Sequence, residues 1–584
     1  MNIKLINPQN RLDNYLEQIF FNRNVDTKVM NKFIYPSEED IISYKKLKNI
    51  DKALECLHRH LQDRILIQVD SDVDGYTSSA LLYNYLKTEY PNINLDYQVH
   101  DDKSHGLDIT QDILDKKYDL IIIPDASSGE IEKHKQVHDF GIDLIILDHH
   151  LCDNEDEYSI LVNNQTSPEY ENKGLTGVGI VWQFCRAIYN EFDNIKTNPD
   201  KFVDLAAVGM CGDMADFTDL ETRAIILKGF EAIFKDEGSN LFIRSLKDKQ
   251  KYYFQDGINY HGMSFYIVPL INSVVRSGTI EERIKTFEAF LNDKCLEEIP
   301  STKRGCKGQY ETLLVQMTRS LTNIKKRQDD SVKEAMTQAE KVLTKEYIDN
   351  NSVLIYIIDE GTINKNLNGL LANKICGQYK KPTMVLQKHY EDDIPIYTGS
   401  FRAPGDSRCE DFREFIRESN LAEYAEGHPC AGGTCFIGAA IDNFIEYANF
   451  KLSSYLEEYV EEYYVDLVYH KEIPTNVIET IYNLKEYWGR GIEEPVILLT
   501  ELKVTKDNKT LLTKGPTVKI KTPNGEEVMF FKSSLEFFES IAPIDGSATY
   551  INVIGTCSVN NWNGKITYQF IANDYEIINT VYDF

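Results

Sequence analysis

From residue 64 onward, short apolar runs alternate with stretches of helical pattern. Arg64-Ile65-Leu66-Ile67-Gln68-Val69-Asp70, Asp119-Leu120-Ile121-Ile122-Ile123-Pro124-Asp125 and Asp143-Leu144-Ile145-Ile146-Leu147-Asp148-His149-His150 are of strand length and end in acid or imidazole. After the first of them, Ser78 to Lys87 spaces Ala80, Leu81, Leu82, Tyr83 and Leu86 as a helix does. Unbroken apolar strands alternating with helices predict a parallel sheet covered on both faces. The C-terminal ends of such strands share one edge, where open α/β folds place their sites. Three acidic motifs far apart in sequence are therefore expected to meet there. A fourth run, Ala206-Ala207-Val208-Gly209-Met210-Cys211-Gly212-Asp213, reads as an apolar, small-residue helix that also ends in acid.

The pattern then changes. Residues 280–345 are charged and helix-favouring, with a basic island at Asn323-Ile324-Lys325-Lys326-Arg327-Gln328, and read as a long helix joining two globular halves. A second α/β pattern begins at Val353-Leu354-Ile355-Tyr356-Ile357-Ile358 and continues through Pro382-Thr383-Met384-Val385-Leu386. A Tyr- and Glu-rich helical segment follows. From Val496, short strands with turn signals at Pro523-Asn524-Gly525 and Asn563-Gly564 predict a small β-barrel. The expected organisation is an N-terminal helical segment over 1–60, a parallel-sheet domain over 61–290, a connecting helix over 291–345, a smaller α/β domain over 346–450, and a helical segment with the barrel over 451–584.

Composition narrows the function. With 584 residues the chain is too long for one core, and its 42% hydrophobic content suits several packed domains. No run of about 18 apolar residues predicts a membrane span, and the first residues lack the apolar core of a signal peptide. Eleven cysteines without a CxxC pair suggest reduced thiols in a cytoplasmic protein, in a bacterial cell or in the host cytoplasm if phage-encoded. A net charge of −29 argues against coating duplex DNA through a broad basic face, but leaves room for a locally positive groove.

The strand-end residues carry the candidate chemistry. Asp70-Ser71-Asp72-Val73-Asp74-Gly75 sets three carboxylates at alternate positions. A calcium loop of this form needs Glu at its twelfth position, which here is Leu81. Asp148-His149-His150 can bind a divalent ion and a phosphate oxygen together. Oxygen-rich donors with one imidazole favour Mg²⁺ or Mn²⁺ over Zn²⁺. A shared carboxylate, for which Asp125 is the candidate, can hold two such ions about 3.5–4 Å apart, which activates water and neutralises phosphate charge without a side-chain nucleophile.

The order DxDxDG, Asp after a strand, DHH, then GxxxD resembles the DHH phosphoesterase superfamily. The resemblance implies a two-metal (Mn²⁺ or Mg²⁺) parallel-sheet DHH domain. It implies metal ligation by Asp72, Asp74, Asp125, His149 and Asp213, with Asp70 as ligand or supporting carboxylate, Asp148 orienting His149, and His150 meeting the phosphate. Asp148, His149 and His150 form the expected catalytic set.

Two further motifs resemble the DHHA1 domain: Thr398-Gly399-Ser400-Phe401-Arg402 (GSxR) and Glu426-Gly427-His428-Pro429-Cys430-Ala431-Gly432-Gly433 (GGHxxAG), with Glu426 and Cys430 departing from the family pattern. The resemblance assigns substrate phosphate or terminal-nucleotide binding to Ser400, Arg402 and His428. Pro269-Leu270-Ile271-Asn272-Ser273-Val274-Val275-Arg276 resembles a RecJ stretch whose arginine meets a nucleotide phosphate, with departures at Ser273 and Val275. His105-Gly106-Leu107, after Lys103, resembles the family segment beyond the second strand, where a substrate contact through Lys103 and His105 and a plain loop role fit equally. The C-terminal segment resembles the RecJ OB domain. Its lysines (503, 506, 509, 514, 519, 521 and 532) and aromatics suit single strands, although Phe530, Phe531 and Trp562 also suit a barrel core, the favoured reading for Trp562.

The fold class expected is therefore α/β: a parallel-sheet DHH domain, a long helix, a smaller α/β DHHA1 domain and an OB-like β-barrel. The implied activity is a metal-dependent exonuclease releasing mononucleotides from single-stranded DNA with 5′→3′ polarity, in repair, recombination or replication. The implied protein is a monomer, with a single-strand-binding protein or helicase as partner. The rival readings are an oligoribonuclease or cyclic-dinucleotide phosphodiesterase on the same scaffold, and a non-catalytic replication scaffold, which the intact motif acids oppose.

Overall fold

A computed structural model describes residues 1–152, 156–238, 240–255, 257–457, 459–512, 516–541, 548–562 and 564–581; the side chains of Trp562, Thr580 and Val581 are outside it. Internal contacts divide the chain into two units. The first holds residues 1–98, 106–268 and 461–584, and the second 99–105 and 269–460. Residues 269–290 thus group with the second unit and 461–584 with the first. Among the described residues no helix is long and apolar enough to cross a membrane.

In the first unit, strand β1 (Asn2–Leu5) precedes short helices at Tyr15–Phe21, Met30–Ile34 and Ile50–Arg59. The expected sheet follows as β2 (Arg64–Val69), β3 (Asn94–Val99), β4 (Leu120–Pro124), β5 (Asp143–Asp148) and β6 (Ile160–Asn163). Its order is β3-β2-β4-β5-β6, with parallel ladders joining β2 to β4, β4 to β5 and β5 to β6. Ile65, Leu66, Ile67, Leu120 to Ile123 and Leu144 to Leu147 are all buried, as two-sided coverage requires. The chain leaves β2 toward one side for β3 and returns on the other for β4. The topological switch therefore lies between β2 and β4, where ligand crevices form in open α/β sheets.

Helices Val73–Glu89, Gly177–Glu191, Val203–Gly212 and Leu220–Phe234 complete this core. In the last, Arg223 is fully buried and donates to the carbonyls of Phe33, Phe217 (3.1 Å) and Tyr487 (2.8 Å), tying three distant segments together. Beside it, the buried Glu221 accepts from Tyr170 Oη (2.6 Å), Gln183 Nε2 (2.8 Å), Asn172 Nδ2 (3.0 Å) and the Ile42 amide (3.1 Å).

The second unit corrects the expected connecting helix. Residues 291–312 are not part of it: β7 (Glu298–Pro300) and β8 (Tyr310–Thr312) pair as an antiparallel hairpin, and the 30-residue helix runs only from Leu313 to Val342. Pro300, and Gly305 and Gly308 at positive φ, are the breakers that the charged composition masked. The expected smaller α/β domain is present as a sheet of β9 (Leu354–Asp359), β10 (Thr383–Glu391), β11 (Ile394–Arg402), β12 (Tyr424–His428) and β13 (Ala431–Ile437), in the order β12-β13-β11-β10-β9.

The chain then re-enters the first unit. β14 (Glu462–Val465) pairs in parallel with β1 across some 460 residues of sequence. β15 (Leu467–His470), β16 (Ile497–Val504), β17 (Lys509–Leu512), β18 (Thr517–Lys521), β19 (Glu527–Phe530), β20 (Ala548–Trp562) and β21 (Lys565–Val581) form one sheet, ordered β15-β16-β20-β21-β19-β18-β17. Among the described residues no ladder joins the two end strands. Phe530 is buried in this sheet and Phe531 is exposed. Lys514 and the Trp562 side chain, both named in the sequence analysis, lie outside the described residues.

Glu221 gives a pH test of this core. Burial pushes its carboxyl up to about 7 against the pull of Tyr170 and Asn172. A raised folded value means the contribution is full below the unfolded value and is lost as pH rises through about 7. Chemical denaturation should show native stability falling between pH 5 and 8. Glu221→Gln should flatten that slope by an amount on the order of 1–3 kcal/mol, and an unchanged slope would refute the assignment.

Candidate metal centre

Each strand-end acid is placed by local structure. Asp70 follows β2, is buried, and accepts from the Gly106 amide at 3.0 Å. Asp72 caps the helix Val73–Glu89 through the Gly75 amide (2.9 Å), which turns Asp74 inward in the first helical turn. Asp74 is buried and accepts from the amides of Gly177 (2.8 Å) and Val178 (3.0 Å) at the start of the helix Gly177–Glu191, whose N-terminal dipole favours an anion. Asp125 follows β4 with a left-handed φ of 67°. Asp213 caps the C-terminus of the helix Val203–Gly212.

These groups converge. Ligating atoms of Asp74, His149 and Asp213 lie within 4.8 Å of one another, as do those of Asp125, Asp148, His149 and His150. His149 belongs to both groups, with its Nε2 3.3 Å from Asp125 Oδ1 and 3.8 Å from Asp213 Oδ2. The buried Asp125 Oδ1 has no hydrogen-bond partner among the described residues.

Like charges buried together drive the titration of the cluster. Burial and the Asp72 charge push Asp74 up to about 7. Burial, then the Asp74 and Asp72 charges, push Asp125 well above the ordinary range, and burial with Asp74 pushes Asp213 up to about 6. Burial and the neighbouring His150 lower His149.

One expectation changes. Asp148 does not hold the ring of His149. Its Oδ1 is 2.8 Å from His150 Nδ1 and accepts the backbone amides of His149 (2.7 Å) and His150 (3.2 Å). Its Oδ2 accepts from the amide (3.0 Å) and hydroxyl (2.6 Å) of Ser128. Burial pushes Asp148 up, but the His150 hydrogen bond and charge outweigh it and hold the carboxyl far below the ordinary range. Burial likewise opposes charge on His150, yet Asp148 raises it to about 9, with the side chain 60% exposed.

Sequence reasoning missed Gly177 and the steric reason for Gly209, the glycine of the GxxxD motif. A Cβ on Gly177 would lie 2.1 Å from Asp125 Oδ1, and one on Gly209 would lie 2.7 Å from Asp74 Oδ1. It also missed Ser128 and Asn163, whose Nδ2 bridges Ser128 Oγ and the His150 carbonyl at 2.9 Å each.

The second unit holds the remaining expected residues around a cavity of about 560 Å³. Lys103, His105, Arg276, Ser400 and Arg402 line it, together with Asn368, Gly369, Gln387, His389 and Tyr424, which were not foreseen. Burial and the Arg276 charge lower the Arg402 guanidinium. Lys103, Arg276, Lys365 and Arg402 outnumber the one carboxylate on the lining, Glu360, which suits the cavity to an anion. Gly399 is needed because a Cβ there would lie 2.0 Å from the Val385 carbonyl of the neighbouring strand β10. His428 is exposed on β12 and does not line the cavity.

The DHH family, N-terminal domain, matches residues 64–210. The SPbeta prophage-derived protein of Bacillus subtilis (strain 168) named single-strand DNA-specific exonuclease YorK is 34% identical over 574 residues, covering 97% of this chain and 96% of that protein. The chain belongs to the RecJ-like branch of the DHH family. The RecJ of the same Bacillus is 22% identical to this RecJ-like chain over 594 residues, covering 98% of the chain and 69% of that RecJ. The crystal structure of RecJ in complex with Mn²⁺ from Thermus thermophilus shares the fold, with a TM-score of 0.71 at 18% identity, covering 98% of this chain and 79% of that one.

The steric fit at Gly177 is testable. Gly177→Ala should displace Asp125 and weaken Mn²⁺ binding by about tenfold, the scale seen when support of a ligand is lost. Calorimetric titration checks this, with the melting curve showing that the protein remains folded.

Proposed function

We propose that this RecJ-like protein is a metal-dependent exonuclease that hydrolyses single-stranded DNA to mononucleotides with 5′→3′ polarity. The observation that carries the reading is the convergence of Asp74, Asp125, His149 and Asp213 around a buried carboxylate oxygen without a donor. The names of YorK and RecJ, proteins that match nearly the whole chain, support single-stranded DNA as substrate.

The donor set suits hard divalent cations. It is rich in carboxylates and contains one largely enclosed imidazole, and burial together with mutual repulsion raises three of the carboxyls. Asp72, Asp74, Asp125, His149 and Asp213 would hold two Mn²⁺ or Mg²⁺ ions, with Asp70 as ligand or support. Bound there, these ions supply Lewis acidity, making water acidic enough to attack and neutralising charge on the phosphodiester.

The chain's own residues do the remaining work. Asp148 fixes the His150 ring through Nδ1 and leaves Nε2 to donate to a phosphate oxygen. Arg276, Arg402 and Ser400 bind a phosphate in the second-unit cavity, and Lys103 and His105 extend that positive lining. His428, exposed on β12, contributes to terminal-nucleotide binding from outside that cavity. We propose that the C-terminal sheet works as an OB-like platform. It bears a cavity of about 840 Å³ where Lys471, Lys503, Lys521 and Tyr550 stand beside Glu501 and Asp507, three cations and an aromatic against two carboxylates. Lys519 is engaged with Glu527 at 2.8 Å and Lys509 lies over the Phe538 ring, so these two serve the fold. A single-strand-binding protein or helicase is the partner expected of such an enzyme acting in repair, recombination or replication.

Purified protein with Mn²⁺ should release labelled mononucleotide from a 5′-labelled single-stranded oligonucleotide at early times and retain a 3′ label until late. Chelator should abolish both. An intact oligonucleotide refutes the activity, and early loss of the 3′ label refutes the polarity. Arg402→Ala should raise KM for the strand about tenfold, as expected on losing a charge-assisted phosphate contact worth about 1.5 kcal/mol. Its Mn²⁺ affinity should match that of the native protein, and equal KM values would remove Arg402 from substrate binding.

A further inference from the structure

The loop that presents Asp125 is strained. Asp125 (φ 67°) and Ser127 (φ 83°) both occupy the left-handed region, which residues other than glycine adopt uncommonly, Asp more readily than Ser. A loop so shaped must be held from outside. On one side Ser128 is bound to Asp148, as described. On the other side stands a buried network that the metal chemistry does not use.

His134 is fully buried in the helix Ile131–Asp139. Its Nδ1 lies 2.6 Å from Asp156 Oδ2 and its Nε2 lies 3.1 Å from Ser127 Oγ. Asp156 is itself fixed, its Oδ1 accepting the amides of Tyr158 and Ser159 at 2.8 Å each. Ser127 Oγ donates to Glu130 Oε2 at 2.6 Å, and the same oxygen accepts the Leu107 amide at 2.7 Å. Lys133 completes the knot, with Nζ at 2.6 Å from Glu130 Oε1 and 2.8 Å from the Leu107 carbonyl. Next to Leu107, Gly106 gives its amide to Asp70. Its φ of 82° and the 2.3 Å that would separate a Cβ from Glu130 Oε2 exclude any larger residue. One continuous chain of polar contacts therefore joins Asp156, His134, Ser127, Glu130 and the 106–107 segment. It reaches Asp70 beyond β2 and the Asp125 loop beyond β4.

Asp156, His134 and Ser127 have the connectivity of a nucleophilic triad, but the geometry gives them another task. Ser127 is only 8% exposed and its hydroxyl hydrogen is committed to Glu130. Burial works against ionised Glu130, yet Lys133, Ser127 and the Leu107 amide hold it below the ordinary range, so it remains an acceptor. A hydroxyl bound this way is held, not poised to attack.

We propose that His134, braced by Asp156 and acting through Ser127, is a positioning residue that fixes the Asp125 loop for divalent-ion binding. The inference rests on the metal-site reading above. It predicts that the network acts on metal affinity and turnover, and not on the grip on the strand.

The test titrates Mn²⁺ calorimetrically into the full-length native protein, His134→Ala and Ser127→Ala, with melting curves and with kcat and KM on a labelled single strand. Both variants should bind Mn²⁺ about tenfold more weakly, the usual consequence of removing support behind a ligand. Their kcat should fall and KM should stay unchanged at temperatures where they are folded. A folded variant with native Mn²⁺ affinity overturns the inference and leaves the exonuclease reading intact. A native protein that binds no Mn²⁺ overturns both. Should His134→Ala not fold, Ser127→Ala, which removes one oxygen and no core volume, decides by the same criterion.

Discussion

The structure is organised by the repulsion among carboxylates buried together at one sheet edge. Asp70, Asp74 and Asp125 are each nearly inaccessible, and Asp72 and Asp148 add their fields. In a medium of low polarisability such a cluster is unfavourable unless dipoles and cations face it. The fold supplies the dipoles: the amides of Gly177 and Val178 at one helix start, of Gly75 at another, and of Gly106 in a loop. Glycine occupies positions 177 and 209 because the carboxylates come within 3 Å of where a Cβ would stand. The uncompensated remainder, concentrated at Asp125 Oδ1, is what a divalent cation answers.

That arrangement was legible where chemistry and periodicity coincide. β2, β4 and β5 announce themselves as unbroken apolar runs because both faces are covered, and their terminal acids stand out against that background. Strand order followed less directly: nothing in the local pattern says that β3 lies outside β2, yet this detour creates the switch point flanked by Asp70 and Asp125. The anion cavity was legible through Gly399-Ser400-Phe401-Arg402 and Arg276. Asn368, Gly369 and Gln387 were not, since they arrive from a helix and a strand with no motif of their own.

What stayed hidden was mostly long-range or backbone-determined. The pairing of β1 with β14 depends on two four-residue strands separated by most of the chain, too short for any period to register. The hairpin of β7 and β8 lies in a window that charged residues dominate and that therefore patterns as helix, while the turn glycines act through φ alone. The partner of Asp148 could not be deduced either. His149 and His150 are adjacent in sequence, and only the turn after β5, with both amides directed at one carboxylate oxygen, selects the His150 ring.

The charge distribution reconciles a net charge of −29 with a polyanionic substrate. Acidic surface repels DNA at long range, but exposed charges are screened beyond about 8–10 Å at physiological ionic strength. Binding therefore depends on short-range sites where cations are gathered and partly enclosed. Arg402 pays for its place in the second-unit cavity with a lowered affinity for its own proton, the mark of positive charge crowded by burial and Arg276. A phosphate relieves that crowding, just as a divalent cation relieves the crowding among the aspartates. The two units thus carry opposite electrostatic deficits. Divalent cations answer the first deficit and a phosphate answers the second, whereas a neutral molecule would answer neither.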